Sequence, residues 1–480
     1  MSPPEEPSRH PFLRRFFEPT DIASLVFFRV GFGLLMLYEV ARYADQERVA
    51  SYWADPTFNF SYFLADWVKP LPGDGLHHLW ALFGLCALLI ALGAFYRVAT
   101  AVFCLIFSYF VLLEESKYMN HFYFICLVSF LMIFIPAHRS FSVDALLRPR
   151  IRSRTAPAWG RWSLCAMMGI VYFYGGLAKL TPDWLQCEPM RFWLANRIDY
   201  PILGKYVQEE WYVHLFSYGG LIFDLSVVPL LIWKRTRMLA FLWAVSFHLL
   251  NKWMFGVGIF PWLSIAATTL FFRPDWPRRI GRAVLVSAGI TPKPAGDPVA
   301  AESPGPLGPR QHAILAVLGV FFAIQLLVPF RAHLYPGAVN WTEQGHTFSW
   351  RMMLRDKSSD ATFTITETAT GKSWEVDLDD YLTPRQIGKM STRPHMIHKF
   401  AHHLAEVMEA EGRGPVEVRA EVWCSLNGRK PQLLIDPNVD LAAEPRSLKP
   451  KSWILPLKEP LPTPEMVRSD SATNARGEGE

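Results

Sequence analysis

The sequence predicts a polytopic α-helical membrane protein with about nine transmembrane helices and a C-terminal, β-rich α+β domain on the non-cytoplasmic side. Three observations predict it. Apolar residues make up 51% of the 480 residues and charged residues only 19%, a balance suited to lipid. Apolar runs approaching the roughly 20 residues of a membrane-spanning helix recur between residues 22 and 331. After residue 332 the pattern becomes one of short alternating strands around a helical stretch.

Residues 1–21 carry charge and proline without a small-residue cleavage site, and read as a cytoplasmic segment ahead of an uncleaved anchor. The apolar runs follow at approximately 22–40, 77–95, 98–115, 121–138, 162–180, 211–233, 238–250, 255–272 and 313–331. The seventh is short enough to be a tilted or re-entrant element. Every second connection is basic: Arg14 and Arg15, then Arg97, then Arg139 to Arg161, then Lys234 to Arg237, then Arg273 to Arg282. Loops 41–76, 116–120 and 181–210 mix signs or lean acidic. That alternation places the N-terminus in the cytoplasm and, with nine crossings, the residues after 332 outside it.

Within the transmembrane domain (22–331), the stretch 283–312 is rich in proline, glycine and alanine and reads as a cytoplasmic linker. In the exterior domain, 332–460, "ATFTITETATGKSWEVDL" alternates like a hairpin. A second pair of strands flanks Asn427-Gly428, a dipeptide suited to a tight turn, and residues 384–410 have helical periodicity. The polar tail 461–480 reads as disordered.

The net charge of +5 sits in short loops between apolar runs, so membrane topology accounts for it and a nucleic-acid partner does not. No C-x-x-C spacing supports zinc. Cys187 and Cys424 lie in polar sequence, where pairing and free thiols are both open. His395, His398, His402 and His403 fall at helical spacings that suit a solvated amphipathic helix better than a metal site.

The informative residues are the polar ones in apolar runs, because an ionisable group in a bilayer costs several kcal/mol unless it faces a cavity or a partner. Lys179 in "VYFYGGLAKLTPDW" either snorkels to the interface or faces a pocket. Tyr172, Gly175 and Gly176 share its helical face, and the glycines would admit another helix or a flat ligand. Asn120 and His121 open the fourth run, as a cap or as functional groups. In "FHLLNKWMFGVGIFPW", His248 ends an apolar run near Asn251, Phe255, Gly258 and Phe260, where the glycines break the helix. Asp224, deep in its run, needs a donor partner or must be neutral. The topology brings Asn120, His121, Lys179 and the His248–Asn251 corner to one membrane face, which predicts a shared polar pocket.

"FFEPTDIASLVFFRVGFGLLML", "NHFYF", "VYFYGGLAKLTPDW", "GGLIFDLS", "FHLLNKWMFGVGIFPW", "FSWRMML" and "IDPNVD" occur in that order. Over residues 16–460 the chain resembles the vitamin K-dependent gamma-carboxylase family, in its bacterial form with an HTTM membrane domain. The resemblance implies that reduced vitamin K is oxygenated to the 2,3-epoxide while a protein glutamate takes up carbon dioxide to become γ-carboxyglutamate. It assigns Lys179 as the base that deprotonates the quinol, and His121, beside Asn120, as the group that holds the oxygenated intermediate or stabilises developing charge. It places the cofactor around the corner of His248 and Asn251, to which the residue pattern adds Phe255 and the Tyr172–Gly175 face as cofactor-binding candidates, and position together with the resemblance puts the glutamate-bearing peptide near Trp350, Met352 and Arg355. No metal is implied, and membrane lipid and a glutamate-containing substrate are the partners.

Two departures stand out. Loop 41–76 has no cysteine, and Arg355 occupies a position that is histidine in animal relatives. Neutral lysine is the form that can act as a base, and burial disfavours the ammonium. A dry pocket would shield a strong base from water, and Asn120 and His121 supply donors for anions. Two alternatives are a vitamin K epoxidase without carboxylation and a non-catalytic quinone-binding membrane protein. A transporter is disfavoured, since no inverted repeat is visible.

Overall fold

The structure, a computed structural model, describes residues 11–197, 200–201, 203–291 and 307–462. The membrane-embedded part is built from α1 (Ala23–Asp45), α2 (Gly75–Leu92), α3 (Tyr96–Leu113), α4 (Asn120–Phe134) and α5 (Ala158–Leu177). It continues with α6 (Glu210–Ile232), α7 (Arg237–Phe255), α8 (Phe260–Thr268), α9 (Trp276–Ser287) and α10 (Pro309–Leu327).

All nine predicted apolar runs are helical, but the described helices long and apolar enough to cross a membrane number six: α1, α2, α3, α6, α7 and α10. The expected count of nine crossings is not confirmed by them. The α4 helix and α8 with its short extension are apolar but brief. In α5, Arg161 and several Gly, Trp and Tyr residues dilute the aliphatic content. The seventh run, expected to be short, becomes a 19-residue helix. Its polar end stays helical because the Asn251 amide bonds the Phe247 carbonyl at 2.8 Å and Lys252 reaches the Gly258 carbonyl. Part of the expected linker is also helical, since α9 runs to Ser287; residues 292–306 and 463–480 lie outside the described residues.

Small residues set the closest helix contacts. At Gly33 of α1 an added Cβ would stand 2.5 Å from the Ala91 nitrogen and 2.8 Å from the Ala87 oxygen of α2, so the two backbones touch there. Nearby, the buried Arg29 guanidinium satisfies the carbonyls of Ala91, Ala137 and Phe141, which closes the end of α2 over the turn after α4. Asp144 accepts the Phe95 and Tyr96 amides, capping α3 from outside its own chain segment.

The C-terminal domain is a four-stranded antiparallel sheet of β1 (Lys357–Glu367), β2 (Ser373–Glu375), β3 (Val416–Leu426) and β4 (Gln432–Leu433), in the order β2-β1-β3-β4. Strand β3 alternates as period-2 patterning requires, burying Val418, Ala420, Val422 and Cys424 on one face. The hairpin after it turns through Asn427 and Gly428, whose φ values of 54° and 76° are both left-handed. Two helices, α11 (Pro384–Met390) and α12 (Pro394–Ala410), cover the buried face. They replace the single predicted helix because Pro394, which cannot continue α11, starts α12 instead.

The histidine-bearing face of α12 is not solvated throughout. His398 is buried and, with His402, meets the Glu444 carbonyl, while His403 stacks on Phe58 at 4.0 Å. Cys187 and Cys424 are free thiols in different apolar clusters, so the pairing left open by sequence does not form.

The domain docks on three loops that the charge pattern had assigned to one side. Lys399 and Arg446 meet Asp66, the Gln386 amide meets Glu114, and Arg429 makes a two-pronged contact with Asp183 at 2.7 and 2.8 Å. Because the α1 and α2 backbones touch at Gly33, Gly33→Ala lowers the stability of the detergent-solubilised protein by about 1–3 kcal/mol. Gly31→Ala, in the same helix but with open space around it, does not lower the thermal midpoint and raises it if anything, which a paired melt would show.

Candidate active site

Lys179 follows the C-terminal end of α5, where Thr181 caps a short turn, Pro182–Leu185. Its side chain does not run to the interface. It folds back so that Nζ donates to the Gly175 carbonyl at 3.2 Å and to Asp224 Oδ2 of α6 at 2.5 Å, beside the Trp184 ring. Both partners are buried. The snorkelling alternative is thereby set aside, and the donor that Asp224 needed is identified.

The two glycines make this contact possible. A Cβ at Gly176 would lie 2.6 Å from a Leu225 methyl, and one at Gly175 would lie 3.2 Å from both Asp224 Oδ2 and the Met352 methyl. The glycine face therefore admits α6 and Met352.

One turn earlier on α5, the Tyr172 hydroxyl meets His248 Nε2 of α7 at 2.6 Å. His248 is enclosed by Phe223, Phe247 and Phe260. Phe260, at the start of α8, also faces His121, so one ring separates the two imidazoles. His121 touches Phe122 and Phe260 and has no hydrogen bond among the described residues. Asn120 accepts from the Tyr118 hydroxyl and donates to the Arg351 carbonyl at 3.1 Å.

The segment 340–357 joins these groups to the C-terminal domain. Four of its non-glycine residues, Glu343, Phe348, Trp350 and Met353, have left-handed φ values of 60°, 62°, 55° and 51°. Such backbone costs of order 1–3 kcal/mol per residue and persists only where its surroundings over-determine it. Here they do. The Phe348 amide donates to Tyr118, the fully buried Trp350 stacks on Tyr123, Asn120 holds residue 351, and Met352 fills the space over Gly175. Arg355 pairs with the buried Glu343 at 2.5 Å and touches His346, and Lys357 adds a second cation at 3.5 Å from Glu343. Burial and the cations Arg355, Arg351, Arg393 and Lys357 hold the His346 imidazole well below its ordinary range, so it is neutral.

The sequence-predicted residues thus fall into groups. Lys179, Tyr172, His248, Gly175, Asn120 and Met352 converge, with His121 beside them. Trp350 is a buried anchor, and Arg355 belongs to the Glu343 cluster. Asn251 bonds its own helix, while Phe255 packs against Trp193 in a separate apolar cluster. Sequence reading passed over Glu39 and Arg42 of α1, a two-pronged pair whose Arg42 lies against Gly258. Their signal was the i, i+3 spacing of opposite charges at the end of an apolar run. A cavity of about 250 Å³ opens between the two domains, lined by Tyr62, Glu115, Arg331, Phe348, His395 and Lys399 among others. It shares Phe348 with the segment whose Met352 touches Gly175.

A helical membrane domain thus presents a buried Lys–Asp pair and a Tyr–His pair to a strained strap from a small sheet domain. The HTTM domain family matches residues 17–276, and the family of the vitamin K-dependent gamma-carboxylase lumenal domain matches residues 310–460. This chain belongs to the vitamin K-dependent gamma-carboxylase family. No solved structure matches it.

The neutral His346 gives this junction a pH dependence. Below about pH 6.5 the unfolded chain binds a proton at this residue that the folded chain refuses, so stability falls as pH drops. Thermal melts between pH 7.5 and 5 should show that fall, and His346→Gln should flatten it.

Proposed function

We propose that the protein is a vitamin K-dependent carboxylase-like enzyme that oxygenates reduced vitamin K and couples this to carboxylation of glutamate in a protein or peptide. The observation that carries the reading is the burial of Lys179 at the family's base position, with Met352 and Asn120 connecting it to the C-terminal domain. Oxygen and carbon dioxide are the co-substrates. The N-terminus is read as cytoplasmic and the C-terminal domain as exterior, with lipid around the helices.

The residues fit an aromatic quinol. His121 offers a ring nitrogen without a hydrogen-bond partner among the described residues, and Phe122 beside it and the Phe223, Phe247 and Phe260 rings around His248 supply apolar walls. Once bound, reduced vitamin K supplies the oxygen-derived base strong enough to remove a glutamate γ-proton. Lys179 takes the proton of the quinol hydroxyl, and Asn120 and His121 donate to negative charge as it develops. Tyr172 holds His248 in one orientation through their 2.6 Å contact. The aromatic packing and Trp350 keep water from these groups. We read the interdomain cavity, lined by Arg331 and by the Asp66-paired Lys399, as the peptide site.

Purified protein supplied with reduced vitamin K, oxygen, labelled carbon dioxide and a glutamate peptide should form both epoxide and labelled peptide. Lys179→Ala should lower epoxide formation by at least about 100-fold. A correctly folded Lys179→Ala protein with the parental rate would end the assignment. Epoxide without label would restrict the activity to an epoxidase.

A further inference from the structure

A lysine that serves as a base must be neutral when its substrate arrives, yet Lys179 has a carboxylate oxygen 2.5 Å from its nitrogen. An isolated carboxylate at that distance favours the ammonium. The two facts agree if the pair is treated as a unit.

We propose that Lys179 and Asp224 form one acid–base dyad that holds a single shared proton, with Asp224 as the positioning residue that takes this proton when Lys179 must be neutral. The proposal rests on the reading of Lys179 as the base. Three observations carry it. The pair is isolated: side-chain exposure is 8% for Lys179 and 7% for Asp224. Among the described residues, Lys179 is also the charged group that acts on Asp224. Facing the pair from α5 is Tyr172, bound to His248 of α7; from the turn after α5, the Trp184 ring; and from the strap, the apolar Met352. With one proton the dyad is neutral overall, the state an apolar site tolerates best. Ammonium with carboxylate and amine with carboxylic acid differ only in where that proton sits along a 2.5 Å contact. Finally, Gly175 and Gly176 are what bring Asp224 this close, and any larger residue at Gly176 would collide with Leu225 and approach the Asp224 Cβ.

The proton count closes. In its reactive form the dyad is an amine beside a carboxylic acid. The substrate O–H bond breaks and its electron pair stays on oxygen, while a new N–H bond forms at Lys179 Nζ. The dyad ends with two protons and a charge of +1, beside the −1 left on the substrate oxygen. That attraction is absent from the starting state, so it favours the transfer itself.

Infrared spectroscopy of the full chain in detergent, without any quinol, reads the proton directly. The carboxylic acid band of Asp224 is identified by its loss in Asp224→Asn. In the parent this band should be present at neutral pH at partial intensity. In Lys179→Met it should rise to full intensity, since a lone carboxylate in apolar packing takes up a proton. A band absent from the folded parent at neutral pH would mean a plain ion pair and would overturn the proposal, as would equal intensity in parent and Lys179→Met.

The second arm is the pH profile of epoxide formation. Asp224→Asn should lose about 100-fold at neutral pH and change the shape of the profile, and Asp224→Glu should recover to within about tenfold of the parent. A parental profile in Asp224→Asn would also overturn the dyad. If the parent forms no epoxide at all, the reaction reading fails, and the infrared arm still decides whether the proton is shared.

Discussion

The buried contact between Lys179 and Asp224 sets the terms for everything around it. Two charged side chains withdrawn from water are tolerable when they meet at hydrogen-bond distance, and removing one partner of such a pair costs about 3–5 kcal/mol. An exposed pair such as Arg419–Glu417 is worth at most about 1 kcal/mol. The buried pair therefore dictates how α5 and α6 approach, and hence why Gly175 and Gly176 stand there. The same junction is locked from the turn after α5, where the Trp184 indole donates to the Ser217 carbonyl and the Ser217 hydroxyl returns a bond to the Trp184 carbonyl.

The strap from residue 340 to 357 is the second consequence. It enters the helical domain with four left-handed non-glycine residues, a backbone that would not hold alone. Tyr118, Tyr123 and Asn120 supply the contacts that hold it, all from the start of α4 or just before it. In return, Met352 closes the space over Gly175, and Glu343 gathers Arg355 and Lys357 at the base of the sheet domain. The base position and the domain read as substrate-facing are thus mechanically continuous.

Much of this was legible in the chain. Helix positions followed apolar periodicity, and the Asn427-Gly428 hairpin followed turn chemistry, because both depend on local properties of the backbone. The errors have physical causes. Asn251 and Lys252 looked like the end of α7, but each satisfies its polar group on a nearby carbonyl, so the helix continues. Phe255 looked like part of the His248 corner, yet it sits two turns away on α7 and packs on Trp193 instead. The α12 histidines looked solvent-facing until loop residue Phe58 and the Glu444 carbonyl covered them.

By itself the sequence determined that this is a helical membrane chain with a small sheet domain, and that Lys179, Asp224, His121 and His248 had to be accounted for. Each is a polar group in apolar surroundings, and its desolvation cost follows from residue type and position alone. Only the tertiary structure decided how those costs are met: Asp224 for Lys179, Tyr172 for His248, and a strained strap against Asn120 and Gly175. Partner choice across 45 residues for the ion pair, or 231 for Asn120 and Arg351, depends on how helices pack and strands fold back, which no local pattern encodes.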